Sequence, residues 1–200
     1  MNIYCLSIII YYFSVIILNF IIMSKENNIV FTGLHIVAWV IFAGLGIEAG
    51  ALIVNFIFSI YNPEFVQNLY QKLDLSQMYY RGKWAFFGMY SFILFISLLK
   101  AYLFYVVVIL MHKIDLSNPF NSVVSRQITR ISNFTFFIGI FSFIARQIAK
   151  NLQHHGYVID NLNDFWADSQ AFILMAAVVY IIATIFKKGV EIQIENELTV

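Results

Sequence analysis

Three ionised side chains sit inside otherwise apolar runs of this chain: Glu48, Lys100 and Arg146. Charges so placed are rarely left alone, because each must be held by a partner, a carbonyl or water, and they mark ion paths, proton relays or structural pairs. The clearest case is Lys100, the only full charge in Trp84 to Met111, WAFFGMYSFILFISLLKAYLFYVVVILM. As a helix these residues would rise about 42 Å, more than a hydrocarbon core of about 30 Å. A mid-membrane lysine costs about 3 kcal/mol, while each Leu, Ile, Phe or Val returns about 0.3–0.6, so the sixteen such residues in this stretch outweigh it. The helix is expected to insert, with Lys100 turned toward other helices or water.

The remaining reactive types offer less. Ser97 and Lys100 lie three apart on one helix face, a spacing that is common by chance. The chain has no HExxH, no GxSxG and no pair of membrane aspartates, so no enzyme, catalytic residue, cofactor or metal site is expected. His154 and His155 are adjacent and point in different directions on a helix, which makes them a poor metal pair. With Asp160, Asp164 and Asp168 they belong to a polar stretch, Asn151 to Asp168, that reads as a solvated loop. His35 reads as an interfacial side chain. Cys5, the single cysteine, reads as an inert thiol and cannot form a disulfide within the chain.

The elements that must carry these charges are helices in a bilayer. Mean hydropathy is +0.80. Charged residues make up 12%, against about 25% in soluble domains. A net charge of +1 gives no basic field for direct nucleic-acid binding. The expected fold is all-α: a polytopic membrane helix bundle of four core transmembrane helices. The spans are Ile29 to Tyr61, the Lys100 helix, Ile131 to Ile148, and Phe172 to Phe186. Asn62-Pro63-Glu64 reads as a helix start, with Asn as N-cap and Pro at the first position. It would open a short amphipathic interfacial helix over Pro63 to Leu73. The domain is expected to cover 23–200, with a tail over 187–200. Residues 1–22 hold a further apolar run, Ile3 to Ile22. Either it is an extra helix hairpinned onto the next, or translation begins at Met23.

Within the first core span, Gly46 and Gly50 make a small-xxx-small face that another helix could approach closely, with Glu48 between them. Asn118-Pro119-Phe120-Asn121 is turn chemistry, and a helix is expected from Asn121 or Ser122. Val124, Ile128 and Ile131 lie on one side of it, and Arg126 and Arg130 on another, where they suit lipid phosphates or a partner. If the tail is cytoplasmic, inside segments carry Lys25, Lys113, Arg126, Arg130, Lys187 and Lys188. Outside segments then carry Lys72, Arg81, Lys83 and Lys150. Six against four favours that orientation. Counted from the inner boundary, Glu48 lies about 26 Å deep, Arg146 about 23 Å and Lys100 about 17 Å. Glu48 is therefore expected to pair with one or both cations, as a structural pair or as the polar core of a small oligomeric transporter, channel or resistance protein.

The chain closes on Phe186-Lys187-Lys188-Gly189-Val190-Glu191-Ile192-Gln193-Ile194-Glu195-Asn196-Glu197-Leu198-Thr199-Val200. An apolar helix, a basic pair with glycine, then E-x-Q-x-E-N-x-L-T-V resembles the signature end of the YoaS-like family, small bacterial multi-pass membrane proteins classed as a domain of unknown function. The Asn118-Pro119-Phe120 turn and the order of four spans resemble it too; residues 1–22 fall outside its usual pattern. The resemblance implies the bacterial cytoplasmic membrane, a cytoplasmic C-terminus and a neighbouring Xre-type helix-turn-helix regulator. On that basis the expected function is a regulatory or sensory membrane partner of such a regulator. Arg126, Arg130, Lys187, Lys188, Glu191 and Glu195 are then the candidate contacts to partner or lipid. By pattern alone the tail could be strand-like or helical, a cap or a docking peptide. Homo-oligomerisation stays open.

Overall fold

The computed structural model describes residues 29–61, 75–115, 120–166 and 168–198. The apolar run Ile3 to Ile22, the interfacial helix over Pro63 to Leu73 and the Asn118-Pro119 part of the turn lie outside the described residues. The elements are α1 (Ile29–Tyr61), the short α2 (Ser76–Arg81), α3 (Lys83–Lys113), α4 (Ser122–His154), a 3-10 turn (Asp160–Phe165) and α5 (Ser169–Leu198), with no strand among the described residues. Four helices, α1, α3, α4 and α5, are long and apolar enough to cross a membrane.

The long helices alternate in direction, and their extensive contacts run between neighbours in chain order: α1 with α3, α3 with α4, and most extensively α4 with α5. The α1–α3 contact is fixed by the buried Tyr90, whose hydroxyl donates to the Leu52 carbonyl at 3.1 Å. Its ring stacks on Phe56 at 5.2 Å between centroids. Aromatic pairs join α3 to α4, with Phe95 on Phe141 at 4.7 Å and Tyr102 on Phe134 at 4.6 Å.

The α4–α5 contact is built differently. Buried Ser132, Thr135, Gly139 and Ser142 recur on α4 at the spacing of one helix face. Small residues let two helices approach until backbones touch. At Gly139 a Cβ would stand 3.0 Å from the Ile173 nitrogen and 3.2 Å from the Ser169 carbonyl oxygen of α5. Ser132 Oγ donates across the same contact to the Ala176 carbonyl at 3.0 Å. The close approach expected at Gly46 and Gly50 is therefore found at Gly139 instead. Among the described residues a Cβ at Gly46 or Gly50 would meet nothing within 4 Å.

The helix α4 is a single element. The span expected from Ile131 and the helix start expected near Asn121 are one run of 33 residues, about 50 Å long. Asn121 caps it, its Oδ1 accepting from the Val123 amide at 2.8 Å. At its far end Gly156 has φ +80, a conformation that favours glycine. There Tyr157 N donates to Leu152 O at 3.1 Å and Gly156 N to Gln153 O at 2.8 Å, which is the Schellman arrangement. Arg81, at the end of α2, completes that end by donating to the carbonyls of Gly156 at 2.6 Å and His155 at 2.7 Å.

The stretch expected as a solvated loop is instead partly core. Ile159, Leu162 and Trp166 are buried against Leu75, Met78, Tyr79, Phe86 and Met89, plugging this end of the bundle. Their spacing of three and four residues turns them to one side while the Asp and Asn residues between them set the polar composition.

Candidate functional site

The expected charge cluster is not assembled. Glu48, Lys100 and Arg146 are each half-buried. Among the described residues no ion pair joins Glu48 to either cation; the ion pair found there is Lys188–Glu191, at 2.6 Å. Lys100 reaches across to α5, where its Nζ lies 5.8 Å from the centre of the Phe172 ring, close enough for the ring face to attract the ammonium. The reason is azimuthal. Depth sets the level of each charge in the bilayer, but α1 packs chiefly on α3 while α4 packs on α3 and α5. Glu48 on α1 and Arg146 on α4 can share a level and still face different sides. Ser97, three residues before Lys100, is buried in the α3 core, and His35 is buried in α1. His155 places Nδ1 2.8 Å from the Asn151 carbonyl in the last turn of α4.

The opposite end of the bundle, where α3 and α5 finish and α4 begins, gathers most of the other candidates. Val124, Ile128 and Ala183 form a small core there, with Leu110, Ile114, Val179 and Phe186 packed round it. Phe120 lies against the Phe186 ring, 5.5 Å between centroids. It also occupies the space a Cβ would need at Gly189. The aromatic of the turn before α4 thus seats on the glycine after the basic pair of α5. Two sequence features singled out separately are halves of one contact. Arg126 and Arg130 stand exposed on the outward face of α4, and Lys187 and Lys188 are exposed on α5.

The basic pair closes the expected span Phe172 to Phe186. The helix does not end there: α5 runs on unbroken to Leu198. The tail is therefore helical as far as Leu198. Val190, Ile192 and Ile194 alternate as they would on a strand, but wound at 3.6 residues per turn Ile192 swings away from the other two. Val190, Ile194 and Leu198, spaced by four, then share one side. Lys188, Glu191 and Glu195 share another, tied locally by the Lys188–Glu191 bond. Ile194 is 51% exposed and Leu198 81%, so beyond the half-buried Val190 the apolar side is uncovered among the described residues. Sequence reasoning left strand-like and helical tails open and did not single out this stripe; the i, i+4, i+8 spacing was the available signal.

Comparison with protein-family models, with curated proteins and with solved structures finds no match to this chain.

Proposed function

We propose that this chain is a multi-pass membrane protein that presents a helical cytoplasmic tail to a soluble regulator, and that its activity is to hold or release that regulator. The observation that carries the reading is the continuation of α5 past Lys187-Lys188 to Leu198 with an uncovered apolar side. A short amphipathic helix is a standard way to enter a partner's groove, with anchors at i, i+4 and i+8. The Phe120–Gly189 contact steadies its base. The lysine and arginine distribution supports a cytoplasmic tail. The resemblance to the YoaS-like family supports the bacterial cytoplasmic membrane and a small helix-turn-helix protein as the regulator. The transporter or channel reading draws less support, because the three charges it requires are not joined.

Co-expression with the protein of the adjacent reading frame, which the resemblance implies is a helix-turn-helix regulator, tests the reading. Intact protein should carry the regulator through affinity purification. Truncation at Lys187 and the paired change Ile194→Glu, Leu198→Glu should each abolish the association. No association with the intact chain sinks it.

A further inference from the structure

An open groove of about 280 Å³ runs between α4 and α5, lined by Asn133, Phe136, Ile173, Ala176, Ala177 and Tyr180. It faces outward: Phe136, Phe137, Tyr180 and Ile181 beside it are all exposed. In a chain that crosses a bilayer, that surface meets lipid. The groove is smaller than the range of about 300–1,000 Å³ that takes a drug-sized ligand, and its form suits a single hydrocarbon chain. The hydroxyl of Ser132, which also lines it, is already spent on the Ala176 carbonyl at 3.0 Å. The floor therefore offers little to a polar ligand. Polar groups occur at the rim, in the Asn133 amide and the Tyr180 hydroxyl.

One end of the groove is cationic. On α4, Arg126, Arg130 and Asn133 follow at intervals of four and three and so share a face. Arg130 stands about 5 Å, and Arg126 about 10 Å, beyond the groove along the axis. On α5, Tyr180, Thr184 and Lys187 follow at the same intervals, placing Lys187 about 10 Å beyond Tyr180. The two helices are antiparallel, so both rows climb to the same end. Among the described residues none of Arg126, Arg130 and Lys187 is in an ion pair, and the nearby Glu191 is held by Lys188. A hydrocarbon slot, then two polar rim groups, then unpaired cations repeats the order of a phospholipid: acyl chain, ester, phosphate.

We propose that the α4–α5 groove binds an acidic phospholipid, with one acyl chain along Phe136, Ile173 and Ala177 and the phosphate between Arg126, Arg130 and Lys187. This site is separate from the docking side of the tail and does not depend on it.

The test is native mass spectrometry of the purified protein, titrated with phosphatidylglycerol and with phosphatidylcholine of the same chain lengths. Each cation near the headgroup is expected to contribute about fivefold to the preference for the acidic lipid. Arg126→Gln with Arg130→Gln changes only exposed side chains and should lower phosphatidylglycerol binding by about 25-fold, bringing it toward phosphatidylcholine. Ala177→Phe fills the slot, keeps the charges, and should abolish retention of either lipid. Lys150→Gln, at the other end of the bundle, should change neither. Equal binding of the two lipids by the unaltered chain overturns the proposal. So does a double variant that keeps the preference, an Ala177→Phe protein that binds as before, or a Lys150→Gln effect as large as that of the arginines.

Discussion

Replacing Gly139 by alanine tests whether α4 and α5 are held backbone to backbone. The added methyl would stand 2.6 Å from Ile173 Cγ1, 3.0 Å from Ile173 N and 3.2 Å from Ser169 O. A side chain can rotate away; two backbone atoms of a helix cannot, so the helices must part. Forcing a methyl into a packed contact costs about 1–3 kcal/mol, while alanine recovers up to about 1 kcal/mol of helix propensity over glycine. A net loss of about 1–2 kcal/mol is expected, read as a fall of about 2–8 °C in the unfolding midpoint of the detergent-solubilised protein. Separation should also lengthen the Ser132–Ala176 hydrogen bond, seen as faster amide exchange around Ala176. The matched control is Gly46→Ala, where the methyl meets nothing within 4 Å among the described residues, so only the propensity gain remains and the midpoint should hold or rise. If Gly46→Ala loses as much stability as Gly139→Ala, the reasoning fails, since the α1 glycines would then be the tight contact.

Tyr90→Phe keeps the stacked ring and removes the hydroxyl bonded to the Leu52 carbonyl; a loss of about 1 kcal/mol is expected in chemical denaturation. Arg81→Ala removes two donors from the end of α4 and the guanidinium that lies 4.9 Å from the Tyr157 ring centre. Amide exchange should quicken over 152–159 and stay unchanged around Asn121, and Arg81→Lys should restore protection only in part because it lacks the planar fork. Gly189→Val puts a branched side chain where Phe120 sits. It should raise proteolysis at the start of α4 without lowering protection at Tyr90.

The four spans were legible because hydropathy averages over many residues and only a bilayer tolerates runs this apolar. The start of α4 was legible from Asn121, whose capping chemistry is local. What a sequence withholds is which way a helix faces. Glu48 and Arg146 are close in depth by residue count, but α1 and α4 each pack on α3 rather than extensively on one another. The α4 face of Ser132, Thr135, Gly139 and Ser142 lay inside a stretch dominated by phenylalanine, where its small residues barely shift the average. Ile159, Leu162 and Trp166 were hidden in the same way by the aspartates and asparagines between them. The Phe120–Gly189 contact joins residues far apart in the chain, and nothing in the local pattern of either announces the other.

The long helices pack chiefly on their neighbours in chain order. Among the described helices, nothing synthesised late has to be threaded between pieces already in place. A ribosome feeding this polypeptide into the lipid can leave every rod beside the one it has just released, and the order of the text becomes the order of assembly.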